Sequence, residues 1–154
     1  MKLPEPIFTP TALEVRYHFK APPERVFRAW TEPSQLAKWF HPAPDAPDAL
    51  AEVDLRVGGR YRLGVPSADG EVFYVGGEYT EIDAPHKLAF TWRWEMAADE
   101  ISDTLIVLEF REEEGGTELF LRHEGFNPMD HEERDQHAIG WNACAAHLYK
   151  LLDE

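Results

Sequence analysis

The side chains that could carry out chemistry are few, and the sequence pattern directs five of them toward one end of a predicted apolar interior: Tyr74, Glu78, His123, Arg134 and His137. Polar groups in such an interior need partners. Arg134 could pair with a carboxylate and so orient the polar end of an apolar ligand. Glu78, His123 and His137 are candidate catalytic residues, because a histidine can move a proton near neutral pH. The alternative is a salt-bridged network that fixes a helix on a sheet.

The place of Tyr74 and Glu78 depends on the register of one predicted strand, residues 71–83. If Glu81 points to solvent, Tyr74 and Glu78 point inward with the even-numbered residues. The Gly76-Gly77 pair is typical of a bulge or a sharp bend, and a shift of one residue would reverse the two faces. The sequence therefore leaves two registers open.

The remaining candidate ligand contacts are apolar and alternate along predicted strands, except one on the C-terminal helix. They are Phe90, Trp92, Leu108, Phe110, Leu121 and Trp141. Such an aromatic-rich lining either fills itself as a plain core or leaves a cavity for a small apolar molecule. Trp30, Trp39 and Phe40 add further core or the rim of that cavity.

No cofactor or metal is predicted. His131 and His137 are six positions apart and do not share a helical face, so they do not form a ligand pair. The glycine pairs mark turns or bends of strands and do not form a phosphate-binding loop. No serine lies in the sequence context of a nucleophile elbow. Cys144, the single cysteine, is expected to be a small buried hydrophobe.

A long helix over residues 129–152 is expected to position Arg134 and His137. Trp141 lies at the centre of its apolar stripe, which recurs at spacings of three and four residues. Ile139 departs from this stripe and is expected either on the solvent side or under a neighbouring element. Acidic residues at the start suit the positive end of the helix dipole.

Upstream of this helix the hydrophobic period is two, which indicates strands. One strand over 13–19 precedes two short helices, and about six strands in hairpin order follow. Leu55 and Met96 are expected on the inward face with Trp92 and Trp94. Short turns between consecutive strands imply antiparallel pairing. The predicted fold is α+β, a curved antiparallel sheet of about seven strands around the long C-terminal helix.

The length, net charge and hydropathy of the chain limit the classes of function that it can have. The 154 residues suit a single domain over 11–154 after a lead-in of residues 1–10. The net charge of -14 disfavours nucleic acid and anionic membrane surfaces as partners. No signal peptide or transmembrane stretch is evident, so a cytoplasmic monomer or homodimer is expected.

Several segments also resemble a known family. They are residues 21–31 (APPERVFRAWT), 36–40 (LAKWF), 57–61 (VGGRY), 77–92 (GEYTEIDAPHKLAFTW) and 140–141 (GW). The chain is similar to the START-like, or polyketide-cyclase-like (SRPBCC), superfamily. Within it, the branch resembled is that of the C-terminal domain of the Hsp90 ATPase activator Aha1. The resemblance implies a helix-grip fold with a cavity between sheet and helix.

Members of that superfamily include lipid carriers, cyclases and chaperone regulators, so the resemblance leaves three hypotheses. The first is a carrier or sensor that binds a small apolar molecule in the cavity. The second is a protein-interaction module similar to the chaperone regulator. The third is a cyclase, dehydratase or hydrolase that uses the polar cluster.

Overall fold

An antiparallel sheet curved around a long C-terminal helix forms the framework of the protein. The computed structural model describes residues 3–41, 47–67, 69–98 and 101–153. The elements, in chain order, are β1 (Ile7–Thr9), β2 (Ala12–Phe19), α1 (Pro23–Thr31), α2 (Pro33–Trp39), β3 (Leu50–Val53), β4 (Arg60–Pro66), β5 (Val72–Asp83), β6 (Lys87–Trp94), β7 (Thr104–Glu113), β8 (Gly116–Glu124) and α3 (Glu132–Asp153). The predicted α+β helix-grip fold is confirmed.

In the described part of the chain the sheet has eight strands, in the order β1-β2-β8-β7-β6-β5-β4-β3, with antiparallel neighbours throughout. The strand beyond the expected seven is β1, at the edge, where Thr9 pairs with Ala12. It lies within the segment predicted as a lead-in, of which Met1 and Lys2 fall outside the described residues.

Prolines set the ends of the two short helices. Pro23 and Pro33 occupy the first turns of α1 and α2, where a missing backbone N–H costs nothing because that group has no partner within the helix. Pro33 also ends α1, because proline disfavours a helical conformation in the residue before it. The indole N–H of Trp39 donates to the Ala29 carbonyl at 2.8 Å and holds the two helices together.

The predicted stripe of α3 is the buried face of that helix. Trp141, Cys144 and Leu148 lie in the core, whereas Ile139 is 64% exposed. The rings of Trp92 and Trp141 are 5.2 Å apart, so the sheet and the helix share one apolar interior, as expected. None of the helices in the described ranges has the length and apolarity that crossing a membrane requires.

Two residues expected on the inward face lie outside it. Leu55 is 42% exposed, because β3 ends at Val53 and a turn follows. Met96 is 59% exposed, because β6 ends at Trp94 and the chain turns away from the sheet. In both places the hydrophobic alternation continues past the end of the strand. Beyond that end, alternate residues no longer lie on one face of the sheet.

The predicted inward register of Tyr74 and Glu78 is wrong. The pairing of β5 with β6 shifts between Tyr79 and Glu81, which leaves Thr80 as an extra residue. After this bulge Ile82 points inward as expected, but before it Val75 and Tyr79 are the buried residues. A bulge reverses the inward and outward alternation relative to the residues beyond it. Tyr74 and Glu78 both precede the bulge, so both lie on the outer face.

Candidate functional site

His123, at the end of β8, is fully buried and has a partner for each ring nitrogen. Its Nδ1 accepts the indole N–H of Trp141 at 3.1 Å. Because that nitrogen is an acceptor, Nε2 carries the proton and donates to the Thr104 hydroxyl at 2.7 Å. Thr104 in turn donates to the Trp92 carbonyl at 3.2 Å. The network fixes His123 in one neutral tautomer.

His137, one helical turn before Trp141, is held in the opposite tautomer. Its Nδ1–H donates to the Glu133 carbonyl at 2.7 Å, within α3. Its Nε2 therefore accepts, and two indole N–H groups point at it: Trp92 at 3.2 Å and Trp94 at 3.1 Å. An indole nitrogen is a donor only, so neither tryptophan can accept a proton from the histidine.

The surroundings keep both histidines uncharged. Burial lowers the pKa of His123 well below its ordinary value, and the neighbouring His137 lowers it further. Burial also lowers the pKa of His137, although the hydrogen bond to the Glu133 backbone opposes this. Their rings are 5.0 Å apart, so two charged imidazoliums here would repel each other. The pair therefore acts as a hydrogen-bonding scaffold in its neutral form.

An apolar pocket opens beside this scaffold, between α3, the end of α2, β4 and β6. Its volume is about 210 Å³, and it is lined by Phe40, Val65, Trp92, Trp94, Gln136, His137, Gly140, Trp141 and Cys144. Burial raises the pKa of the Cys144 thiol to about 12, so the predicted small hydrophobe is confirmed. With His137 neutral, no side chain in this lining carries a formal charge.

Eight of the predicted ligand contacts lie in the pocket lining, behind it, or in the sheet core. Trp92, His137 and Trp141 line the pocket. His123 lies behind them, bonded to Trp141. The four others, Phe90, Leu108, Phe110 and Leu121, are buried in the sheet core and do not contribute to the lining. The wider space lies at the Trp94 end, and a small internal cavity of about 20 Å³ lies beside Phe90.

Three members of the predicted polar cluster point elsewhere. Tyr74 lies on the outer face, with the Arg62 guanidinium 3.8 Å from its ring centroid. Glu78 is exposed on that same face. Arg134 is buried but donates to the Thr9 carbonyl at 2.7 Å and lies over the ring of Phe8, at the β1 edge. The structure therefore does not assemble the expected set of Glu78, Arg134 and the two histidines.

Sequence reasoning missed Val65, Gln136 and Gly140 as pocket residues, and it placed Trp94 on the inward face without naming it a contact. Gly140 offered a signal, because a glycine inside a long helical pattern costs stability and so points to a packing or functional role at that position. An added Cβ at Gly140 would meet no heavy atom within 4 Å. The contribution of Val65 depends on how β4 packs against α3, which the pattern does not report.

Potential metal ligands meet at a different place. Among the residues that the structure describes, His18, Glu113 and Glu118 form one surface group with ligand atoms within 4.8 Å of one another. Arg16 already bonds Glu118 at 3.0 Å, and Arg111 lies 3.6 Å from the same carboxylate. These two cations compensate the acidic group, so its chemistry is that of a surface ion-pair network.

Comparison with known proteins finds a family model that matches most of the chain. The family model described as "Activator of Hsp90 ATPase homolog 1-like protein" matches residues 20–153. That range runs from the end of β2 through α3 and includes every residue of the pocket lining. No curated protein matches the chain.

Solved structures share the architecture. Protein CV1439 from Chromobacterium violaceum is 27% identical with a TM-score of 0.79, and the alignment covers 95% of this chain and 99% of that one. Protein NE0264 from Nitrosomonas europaea is 27% identical with a TM-score of 0.77, covering 97% and 98%. An HSP90 activator from Plasmodium falciparum is 30% identical with a TM-score of 0.60, covering 76% and 74%.

Proposed function

The chain belongs to the Activator of Hsp90 ATPase homolog 1-like family, and from the pocket beside α3 we propose that it binds a small apolar molecule there, as a carrier or sensor. The observation that carries the proposal is an uncharged, aromatic-lined pocket that opens beside the packed core. Apolar molecules gain free energy by leaving water for such a surface.

The pocket volume limits the size of the ligand. An engineered cavity of about 150 Å³ admits benzene, whereas drug-sized ligands occupy roughly 300–1,000 Å³. At about 210 Å³, this pocket suits a single substituted ring or a short branched chain. A longer molecule would extend from the pocket into the adjoining groove at Trp94.

Gly140 supports the proposal independently. It lies inside the 22-residue α3, where glycine destabilises a helix by about 1 kcal/mol relative to alanine. No close neighbour requires the missing Cβ, because the space around that position is open. The glycine therefore keeps the pocket wall open at a cost in helix stability.

The test uses ethylbenzene as probe and ligand-observed saturation-transfer NMR as readout. We expect transfer to ethylbenzene from the native protein and its loss in Gly140→Leu, because the leucine side chain would project into the pocket. The matched control is Ala146→Leu, on the exposed side of the same helix. Circular dichroism checks that both variants fold. An absence of transfer in the native protein, or equal binding by Gly140→Leu, would contradict the proposal.

A second candidate function is regulation of a protein partner. Two observations favour it: the family description and the HSP90 activator among the structural neighbours. An open apolar groove of about 410 Å³ adjoins the pocket at Trp94, and it is lined by Val65, Pro66, Ser67, Phe73, Trp94, Met96, Ala97, Ile101 and Glu133. A side chain as exposed as Met96 next to such a groove suits a protein contact.

The partner to test is an Hsp90, with its ATPase rate as readout. If this function holds, the native chain raises the rate and Met96→Asp loses the effect, because a charge in an apolar contact is unfavourable. Val57→Asp is the control, since Val57 is 65% exposed in a turn outside the groove. Equal stimulation by both variants would exclude the groove as the contact, and an unchanged rate with native protein would exclude this function.

A further inference from the structure

His137 has one acceptor nitrogen, and two indole N–H groups donate to it. An imidazole nitrogen without a proton has one lone pair in the ring plane, and on His137 the other nitrogen is committed to Glu133. Trp92 and Trp94 both direct an N–H at that lone pair, at 3.2 and 3.1 Å. One acceptor site therefore serves two donors, and their combined hydrogen bonding is incomplete.

Trp94 is the donor that a ligand can reach. The Trp92 side chain is 5% exposed and packs against Phe40 and Trp141. Trp94 is only partly buried, and it lines both the pocket and the adjoining groove. A molecule in the pocket can take the Trp94 N–H while Trp92 keeps His137.

The rest of the lining restricts the ligand further. His137 has no free proton to donate, because Nδ1–H is bonded within α3. The Cys144 thiol is a weak donor, and Gln136 is exposed at the rim. On this inner wall the acceptor nitrogen of His137 already receives two indole N–H groups, so a ligand group that donates would have to displace one of them.

We infer that the ligand is a neutral apolar molecule with one carbonyl-type acceptor, and that the Trp94 indole N–H is the donor that selects it. This inference rests on the proposed binding function. A carboxylate is disfavoured because the lining holds no cation and Arg134 is bonded at the β1 edge. The net charge of -14 adds long-range repulsion of an anion.

Three probes of similar shape separate the possibilities: acetophenone, ethylbenzene and benzoate. We expect acetophenone to bind native protein roughly two- to tenfold more tightly than ethylbenzene, the range of one net hydrogen bond. Benzoate should bind more weakly than both. Trp94→Phe, which keeps an aromatic ring and removes the N–H, should abolish the preference for acetophenone without weakening ethylbenzene.

A second measurement needs no variant. In ¹⁵N NMR spectra, the Trp94 indole N–H signal should shift on addition of acetophenone more than on ethylbenzene, because only acetophenone offers an acceptor. This readout distinguishes hydrogen bonding from a packing role of the ring, and it stands if Trp94→Phe does not fold.

The outcomes separate this inference from the binding proposal. Equal affinities for acetophenone and ethylbenzene, or tighter binding of benzoate, would overturn the inference and leave binding of an apolar molecule intact. The same holds if Trp94→Phe keeps the native preference for acetophenone. If neither acetophenone nor ethylbenzene binds, the proposed function fails.

Discussion

At the scale of single residues, His123 and His137 illustrate how hydrogen bonds determine which nitrogen of an imidazole ring carries the proton. Each ring accepts at one nitrogen and donates at the other, but the two rings do so in opposite tautomers. The acceptors are set by indole N–H groups, which never give up their proton in this role. The arrangement stabilises neutral His123 and His137 and so opposes their protonation.

This arrangement predicts a pH dependence of stability. In the native state the pKa values of His123 and His137 lie below the ordinary value of about 6.5, so the unfolded chain binds more protons in that window. The free energy of unfolding should be largest above roughly pH 6.5 and fall as the pH drops toward the lowered values. Urea unfolding at about pH 7.5 and about pH 5.5 measures the difference.

Variants test whether His123 and His137 cause this pH dependence. His137→Gln cannot titrate, so its loss of stability between the two pH values should be smaller than that of the native protein. His131→Gln, at an exposed position, serves as the control and should behave like the native chain. If His137→Gln showed the full native slope, protonation of His137 would not be the cause.

At the scale of elements, Arg134 shows what a polar residue on a buried helix face can do. Its guanidinium reaches from α3 to the carbonyl of Thr9 and covers the ring of Phe8. It also contacts the neighbouring Asp135 at 2.9 Å. β1 is three residues long and lies at the sheet edge. The hydrogen bond from Arg134 to Thr9 therefore adds to the few backbone hydrogen bonds that hold β1 on β2.

We expect Arg134→Met to loosen β1 while the rest of the sheet holds. A hydrogen bond from a charged donor contributes about 1.5–3 kcal/mol, so amide exchange in Ile7–Thr9 should accelerate by roughly tenfold or more. Hydrogen–deuterium exchange with mass spectrometry measures it. Arg111→Met, on β7, is the control because it pairs only at the surface. Unchanged exchange in β1 would show that Arg134 does not hold this edge.

At the scale of the whole molecule, the charged surface and the uncharged pocket lining are separate regions. The surface carries the excess of 29 acidic over 15 basic residues, whereas the pocket lining carries no formal charge. Salt screens interactions between exposed charges over about 10 Å at 0.1 M. Binding of a neutral molecule should therefore be insensitive to the field of the protein, and binding of an anion should not.

This separation predicts the salt dependence of binding. The dissociation constant of acetophenone should stay constant within about twofold from low to high NaCl, because no charge is neutralised on binding. Benzoate should bind less weakly at high salt, since screening reduces its repulsion by the acidic surface. Titration followed by ligand-observed NMR gives both constants. A marked loss of acetophenone affinity with salt would place a charged group in the site.

The sequence by itself determined the elements other than β1, their order and the class of fold. Alternation with period two and the Trp141 stripe with period 3.6 report which side of each element is buried, and this information is local. From it follow the antiparallel sheet, the long helix and the proximity of Trp92 to Trp141. Cys144 is buried where the same periodicity predicted it, and of the two places left open for Ile139 the structure has the solvent side.

Only the tertiary structure decided which polar groups meet. One extra residue, Thr80, reverses the faces of β5 and moves Glu78 and Tyr74 outside. The backbone N–H of Glu78 donates to the Thr91 hydroxyl at 2.9 Å, a cross-strand contact that no local pattern records. The pocket likewise depends on Trp94 and His137, 43 positions apart. Side-chain partners of this kind are fixed by strand register and packing, which the sequence pattern constrains only through the face that each residue occupies.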